Sequence, residues 1–100
     1  MKQILIEKYI EPSEIEIISG DIIIQRWLDK YGDKHSFMGH PAVIAFTKVE
    51  IHYQYWYKKN LPHRDKHLPA SIYYYKGKES SKFWWENGEQ KFDKTTLGWD

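Results

Sequence analysis

Five histidines, His35, His40, His52, His63 and His67, are the side chains of this 100-residue chain best suited to metal binding or proton transfer near neutral pH. His63 and His67 have a loose ligand-like spacing. A zinc site asks for three protein ligands on a rigid frame, with outer hydrogen bonds that orient them, and spacing fixes no third ligand here. Cysteine is absent, which excludes disulfides, thiolate metal sites and a cysteine nucleophile together. Ser80-Ser81 falls in a β-prone run rather than at a nucleophile elbow. None of the 14 carboxylate residues is paired by spacing for glycosidase-type acid and base work. The expectation is a protein that is not an enzyme and holds no cofactor or metal, with a small hydrolase or metal-binding protein as an alternative.

His63-Arg64-Asp65 also occurs in the catalytic loop of protein kinases, but that chemistry needs a glycine-rich loop, a strand lysine and a metal-binding aspartate on a much larger fold. His63 and Arg64 are expected instead to hydrogen-bond the turn between two hairpins, as His35 and Ser36 would one unit earlier. The aromatic residues are the better lead. Five Trp, eight Tyr and four Phe make up 17% of the chain, a composition that suits strands and contact surfaces rather than disorder. Trp56, Tyr57, Arg64, Trp84 and Trp85, with Lys58 and Lys59, are the candidate binding residues, because Trp, Tyr and Arg dominate the energetics of protein interfaces. The competing use of the same tryptophans is to wedge successive hairpins together. A third use is base stacking beside Lys58, Lys59, Arg64, Lys66, Lys76 and Lys78, but 15 basic against 14 acidic residues leave no long-range field to attract a phosphate polymer.

A repeat must position these residues. Pro12 to Trp27, Pro41 to Trp56 and Pro69 to Trp84 each span 15 positions, and successive prolines lie 29 and then 28 apart. Ile15, Ile44 and Ile72 fall at one equivalent place, and Gln25, Gln54 and Lys82 at another. The connectors carry Gly32 to His35 and then Asn60 to His63 at corresponding places, with one residue of slippage. Ser19-Gly20-Asp21 and Lys76-Gly77-Lys78 are turn chemistry between β-prone runs, so each unit reads as a hairpin. A two-residue turn seven and eight positions after the proline would put Ile15, Ile17, Ile22 and Ile24 on a core face with Ile44, Phe46, Ile51, Tyr53 and Tyr55, and with Ile72, Tyr74 and Phe83. Glu14, Glu16, Asp21, Gln25, Glu50, His52, Gln54, Ser71, Lys78, Ser80 and Lys82 would then face solvent. A helix competes over Ile22 to Tyr31, where Ile24, Leu28 and Tyr31 fall at helical spacing.

The length predicts one domain, which removes roughly 60 to 65% of the unfolded surface from water. Its units run over residues 12–40, 41–68 and 69–92, with a tail at 93–100. Lys2 to Ile10 alternates enough to add an N-terminal strand. The fold class expected is therefore all-β, an antiparallel meander of three tandem hairpins with that extra strand. Ile4-Leu5-Ile6 is cut short by Glu7 and Lys8, and no apolar run reaches 18 residues, so a cytoplasmic location is expected.

Trp56-Tyr57-Lys58-Lys59-Asn60, His63-Arg64-Asp65, Leu68-Pro69-Ala70 and Trp84-Trp85-Glu86-Asn87-Gly88 together resemble the tandem His-Arg, Pro-Ala, Trp and Asn-Gly repeats of many phage, large-virus and bacterial proteins, loosely similar to MORN-type hairpin repeats. The likeness covers Pro41 to Gly88 well and Pro12 to His40 more faintly. Ser13 stands in place of the alanine, and Lys91-Phe92 falls where His-Arg would recur. The resemblance implies a hairpin-repeat sheet and carriage by mobile elements, with no catalytic residues to transfer. The function expected is binding of a protein, in its most specific form as a phage-encoded inhibitor of a host defence complex. Single-stranded nucleic-acid binding is the alternative, and a homodimer formed through an open sheet edge would manage unpaired backbone groups.

Overall fold

A computed structural model describes residues 11–18 and 20–91. The expected strand at Lys2 to Ile10 and the tail lie outside the described residues. The first unit supplies β1 (Glu14–Ile18) and β2 (Ile22–Arg26). The second supplies β3 (Val43–Phe46) and β4 (Ile51–Tyr55), then a short pair, β5 (Tyr57–Lys58) and β6 (Leu61–Pro62). The third supplies β7 (Ser71–Tyr75), β8 (Lys78–Glu86) and β9 (Glu89–Lys91). The main sheet runs β1-β2-β3-β4-β7-β8-β9, every pair antiparallel, with β5-β6 beside it. The protein is thus an all-β meander, and Ile22–Arg26 is strand rather than helix.

Each turn follows from its residues. Tyr75 opposes Lys78 across Lys76 and Gly77, both left-handed, which is the two-residue hairpin turn whose twist matches the strands. In the middle unit Thr47 does the work that glycine does elsewhere: its backbone N–H donates to the Glu50 carbonyl at 2.8 Å, and its Oγ1 accepts from the Val49 and Glu50 amides.

The faces differ from the expectation by one residue of register. In the first unit Ile18 opposes Ile22 across Gly20 and Asp21, one position more than a two-residue turn allows. In the second and third units the expected pairing holds beside the turn, as Phe46 to Ile51 and as Tyr74 to Glu79, and then a bulge at His52 or Ser80 shifts it. All three units therefore share one register in the strand body: Ile15, Ile44 and Ile72 oppose Gln25, Gln54 and Lys82. Because side chains alternate, the shift moves half of the expected core to the other side. Ile22, Ile24, Tyr53, Tyr55 and Phe83 share one face with Val43, Ala45 and Tyr73. Ile15, Ile17, Ile44, Phe46, Ile51, Ile72 and Tyr74 lie on the other. Ile15 and Ile17, expected in the core, are 61% and 70% exposed. Glu14 and Glu16 instead share the face of Ile24, where both reach Arg26, at 3.8 and 2.7 Å.

The core is correspondingly two clusters on an open sheet. Ile24, Ala42, Val43 and Ala45 are buried together, with Ile22, Tyr53, Tyr55 and Tyr57 packed against them. Trp56, Ala70 and Ile72 form the second cluster, backed by Tyr74 and Trp85. The alanine after each of the second and third repeat prolines is fully buried, a place where the next strand's backbone comes close.

Candidate functional site

The connectors, read from the sequence as plain links, are hairpins in their own right. Tyr57 pairs with Pro62 and Lys58 with Leu61, and one unit later Trp85 pairs with Gln90 and Glu86 with Glu89. Lys59 and Asn60, then Asn87 and Gly88, form the left-handed turns. In the first unit Leu28 bridges Lys34 at the equivalent place.

His35 and His63 make the same bonds in successive connectors. The His35 backbone N–H donates to the Trp27 carbonyl and that of His63 to the Trp56 carbonyl, both at 3.1 Å. The His35 Nδ1 accepts the Lys59 amide at 3.3 Å, and the His63 Nδ1 accepts the Asn87 amide at 2.9 Å. The Ser36 Oγ accepts the Tyr57 amide at 3.0 Å. Arg64 donates from Nη1 to the Pro69 carbonyl at 3.1 Å. His63 and Arg64 thus contact the turns between hairpins, as do His35 and Ser36. His63 also meets Asp65 through Nε2 at 2.7 Å. With Nδ1 accepting, Nε2 carries the proton and donates it, which holds the Asp65 carboxyl below its ordinary range.

The tryptophans divide. Trp27 is 2% exposed and Trp56 5%. Trp56 donates from Nε1 to the Gly39 carbonyl, and Trp84 from Nε1 to the His67 carbonyl, each at 2.9 Å. The Arg64 guanidinium lies 3.8 Å from the centroid of the Trp56 ring. Trp56 is therefore a wedge between units, while Trp84 and Trp85 are half-buried.

Trp56, Tyr57, Lys58 and Arg64 come together in one cleft of about 500 Å³ between the first two connectors, closed by residues of the 35–39 and 63–68 loops. Lys59 stands outside it, with its Nζ 5.8 Å from the Tyr31 ring centroid. Trp84 and Trp85 belong to the next connector.

A second aromatic surface was hidden by the register shift. Tyr53 stacks on Tyr55 at 4.5 Å, Tyr73 meets both at 6.1 and 5.7 Å, and Phe83 meets Tyr73 at 6.0 Å. The Tyr55 hydroxyl donates to that of Tyr73 at 3.0 Å. Burial, chiefly, raises the pKa of Tyr53, Tyr55 and Tyr57, so these hydroxyls stay neutral through the physiological range. Only the bulge positions could have signalled this face, and His52 and Ser80 carry no residue type that marks a bulge.

No family model, curated protein or solved structure matches the chain. No group of three or more His, Cys, Asp or Glu is placed to hold a metal ion, and no helix is long and apolar enough to cross a membrane, among the described residues.

Proposed function

We propose that the chain is a non-catalytic protein-binding repeat module whose contact surface is the tyrosine face of the sheet. One observation carries this reading: Tyr53, Tyr55, Tyr73 and Phe83 form a continuous ring network on one face of a single-layer sheet, with Phe83 41% exposed. Neutral tyrosines offer large, stiff area with a polar tip, which is the chemistry of interface anchors. The charge on that face favours a protein over a nucleic acid. Arg26, on the same face as the rings, already pairs with Glu16 and Glu14, and Lys34 lies over the adjoining Tyr57 ring, its Nζ 4.4 Å from the centroid. Catalysis is disfavoured because both ring nitrogens of His63 are committed to structural bonds.

Membership of the tandem hairpin-repeat group belongs to the same proposal, supported by the bonds that recur from unit to unit. A host defence complex is the most specific partner the resemblance suggests, and cytoplasmic residence goes with it. The test is capture of a partner from an extract of the natural host, comparing the wild-type protein with Tyr73→Ala and Phe83→Ser. Both variants are expected to fold, by circular dichroism, and to lose the partner. Capture that survives both changes, or binding to oligo-dT that collapses between about 50 and 200 mM salt, would establish the nucleic-acid alternative or a different surface.

A further inference from the structure

Arg64 is a half-buried cation with no carboxylate within ion-pair distance among the described residues. Its guanidinium has five N–H donors in a fixed plane. One bond, to the Pro69 carbonyl, is made, and stacking on Trp56 holds the plane still. Such a group is oriented for a planar, two-oxygen acceptor that the chain itself does not supply. Lys58 and Lys66 line the same cleft, and neither forms an ion pair among the described residues. Asp65, the carboxylate of the lining, is occupied by His63. Burial lowers the pKa of Arg64 without making it neutral at any physiological pH, so the charge persists there uncompensated.

We propose that this cleft receives an acidic side chain of the protein partner, its carboxylate seated on Arg64 between Lys58 and Lys66. The inference rests on the protein-binding reading above and adds the chemistry of what is bound. The cleft volume suits one side chain with its neighbours. Met38 and Leu68, both exposed, line the same cleft and favour an apolar residue next to the acidic one. A carboxylate is preferred to a nucleic-acid phosphate because the Asp65 charge stands in the lining, where it would repel a polyanion tracking past while leaving room for a single acidic group.

The test titrates acetyl-Glu-Leu-amide into the isotope-labelled protein and follows the Trp56 Nε1–H signal, which reports from the cleft lining. Saturable shifts are expected with this peptide and none with acetyl-Gln-Leu-amide. Arg64→Gln should weaken binding roughly tenfold or more. Because Arg64 also packs, the double variant Lys58→Gln, Lys66→Gln is the control. It should melt like the wild type and bind several-fold more weakly. Equal shifts from the Gln peptide, unchanged affinity in both variants, or stronger perturbation of the same signal by oligo-dT would overturn the inference. If the natural partner is still captured by both cleft variants but lost by Tyr73→Ala, the cleft assignment falls and the protein-binding reading stands.

Discussion

Trp56 and His63 show how one residue can look like a binding group and serve as a fastening. The Trp56 ring is enclosed by Ala70, Ile72 and Arg64, and its indole N–H is spent on Gly39. Trp56→Ala should cost about 3–5 kcal/mol, seen in urea unfolding, so loss of binding in that variant would report unfolding rather than a lost contact. Trp84, half-buried, should cost clearly less. His63→Ala removes the acceptor for the Asn87 amide and should cost about 1 kcal/mol. It also releases Asp65, whose depressed pKa owes most to the hydrogen bond from His63. The sign follows from the depression. The stabilisation from Asp65 is complete above the ordinary aspartate pKa and is lost as pH falls through the lower, folded value. A carbon-detected NMR titration should therefore find the Asp65 midpoint higher in His63→Ala than in the wild type, and an unchanged midpoint would mean that the lysines alone set it.

At the scale of the hairpin, what evolution wrote in letters and what it left to geometry can be told apart. The fixed distance from proline to tryptophan and the Gly-containing turns of the first and third units made three hairpins legible, because turn chemistry is local. The faces were not legible, since the first turn holds one position more than a two-residue turn and the bulges of the other units fall at His52 and Ser80, residue types that do not mark one. The connector hairpins were hidden for a similar reason: Lys59 in a left-handed conformation and Pro62 at a strand position contradict their own preferences. The candidate residues of one cleft were legible as a cluster at 56–64, but not the burial of Trp56, because a repeated tryptophan is the same letter as wedge or as anchor. Local conflict of this kind can be relieved. Lys76, at φ 52° before Gly77, is the wrong residue for its turn, and Lys76→Asn should raise stability by about 0.5–1 kcal/mol. Gly88→Ala should do the opposite. Its φ is +85°, and the added Cβ would meet the Leu61 side chain at 3.2 Å, whereas at Gly77 the added Cβ would meet nothing within 4 Å. Gly88→Ala should thus be more damaging than Gly77→Ala by chemical denaturation.

Across the whole molecule, stability is set by neighbours. Each unit buries its side chains against the next, so the sheet behaves as a short one-dimensional array in which β3 is held between β2 and β4 and β1, among the described residues, by β2 alone. The burial pattern follows this order: all five residues of β1 are exposed, whereas Val43 and Ala45 of β3 are buried between β2 and β4. The ion pairs from Arg26 to Glu14 and Glu16 are solvent-exposed and add little to the hold on β1. Opening β1 uncovers apolar surface chiefly at Ile18 and its partner Ile22, while opening β3 breaks the cluster around Ile24 and takes away the surface on which Tyr53 and Tyr55 pack. Native-state hydrogen exchange should therefore run as a gradient. Amides of β1 that bond to β2 should exchange through low-energy local opening that is nearly insensitive to denaturant. Those of β3 and β4 should exchange only through global unfolding, with a steep denaturant dependence. Trp56→Ala should lower the protection of β3 and β4 and leave β1 unchanged, because β1 never reaches the global limit. Equal protection and equal denaturant slopes in β1 and β3 would instead show that the hairpins open as one unit, and the neighbour-by-neighbour account of this sheet would fail.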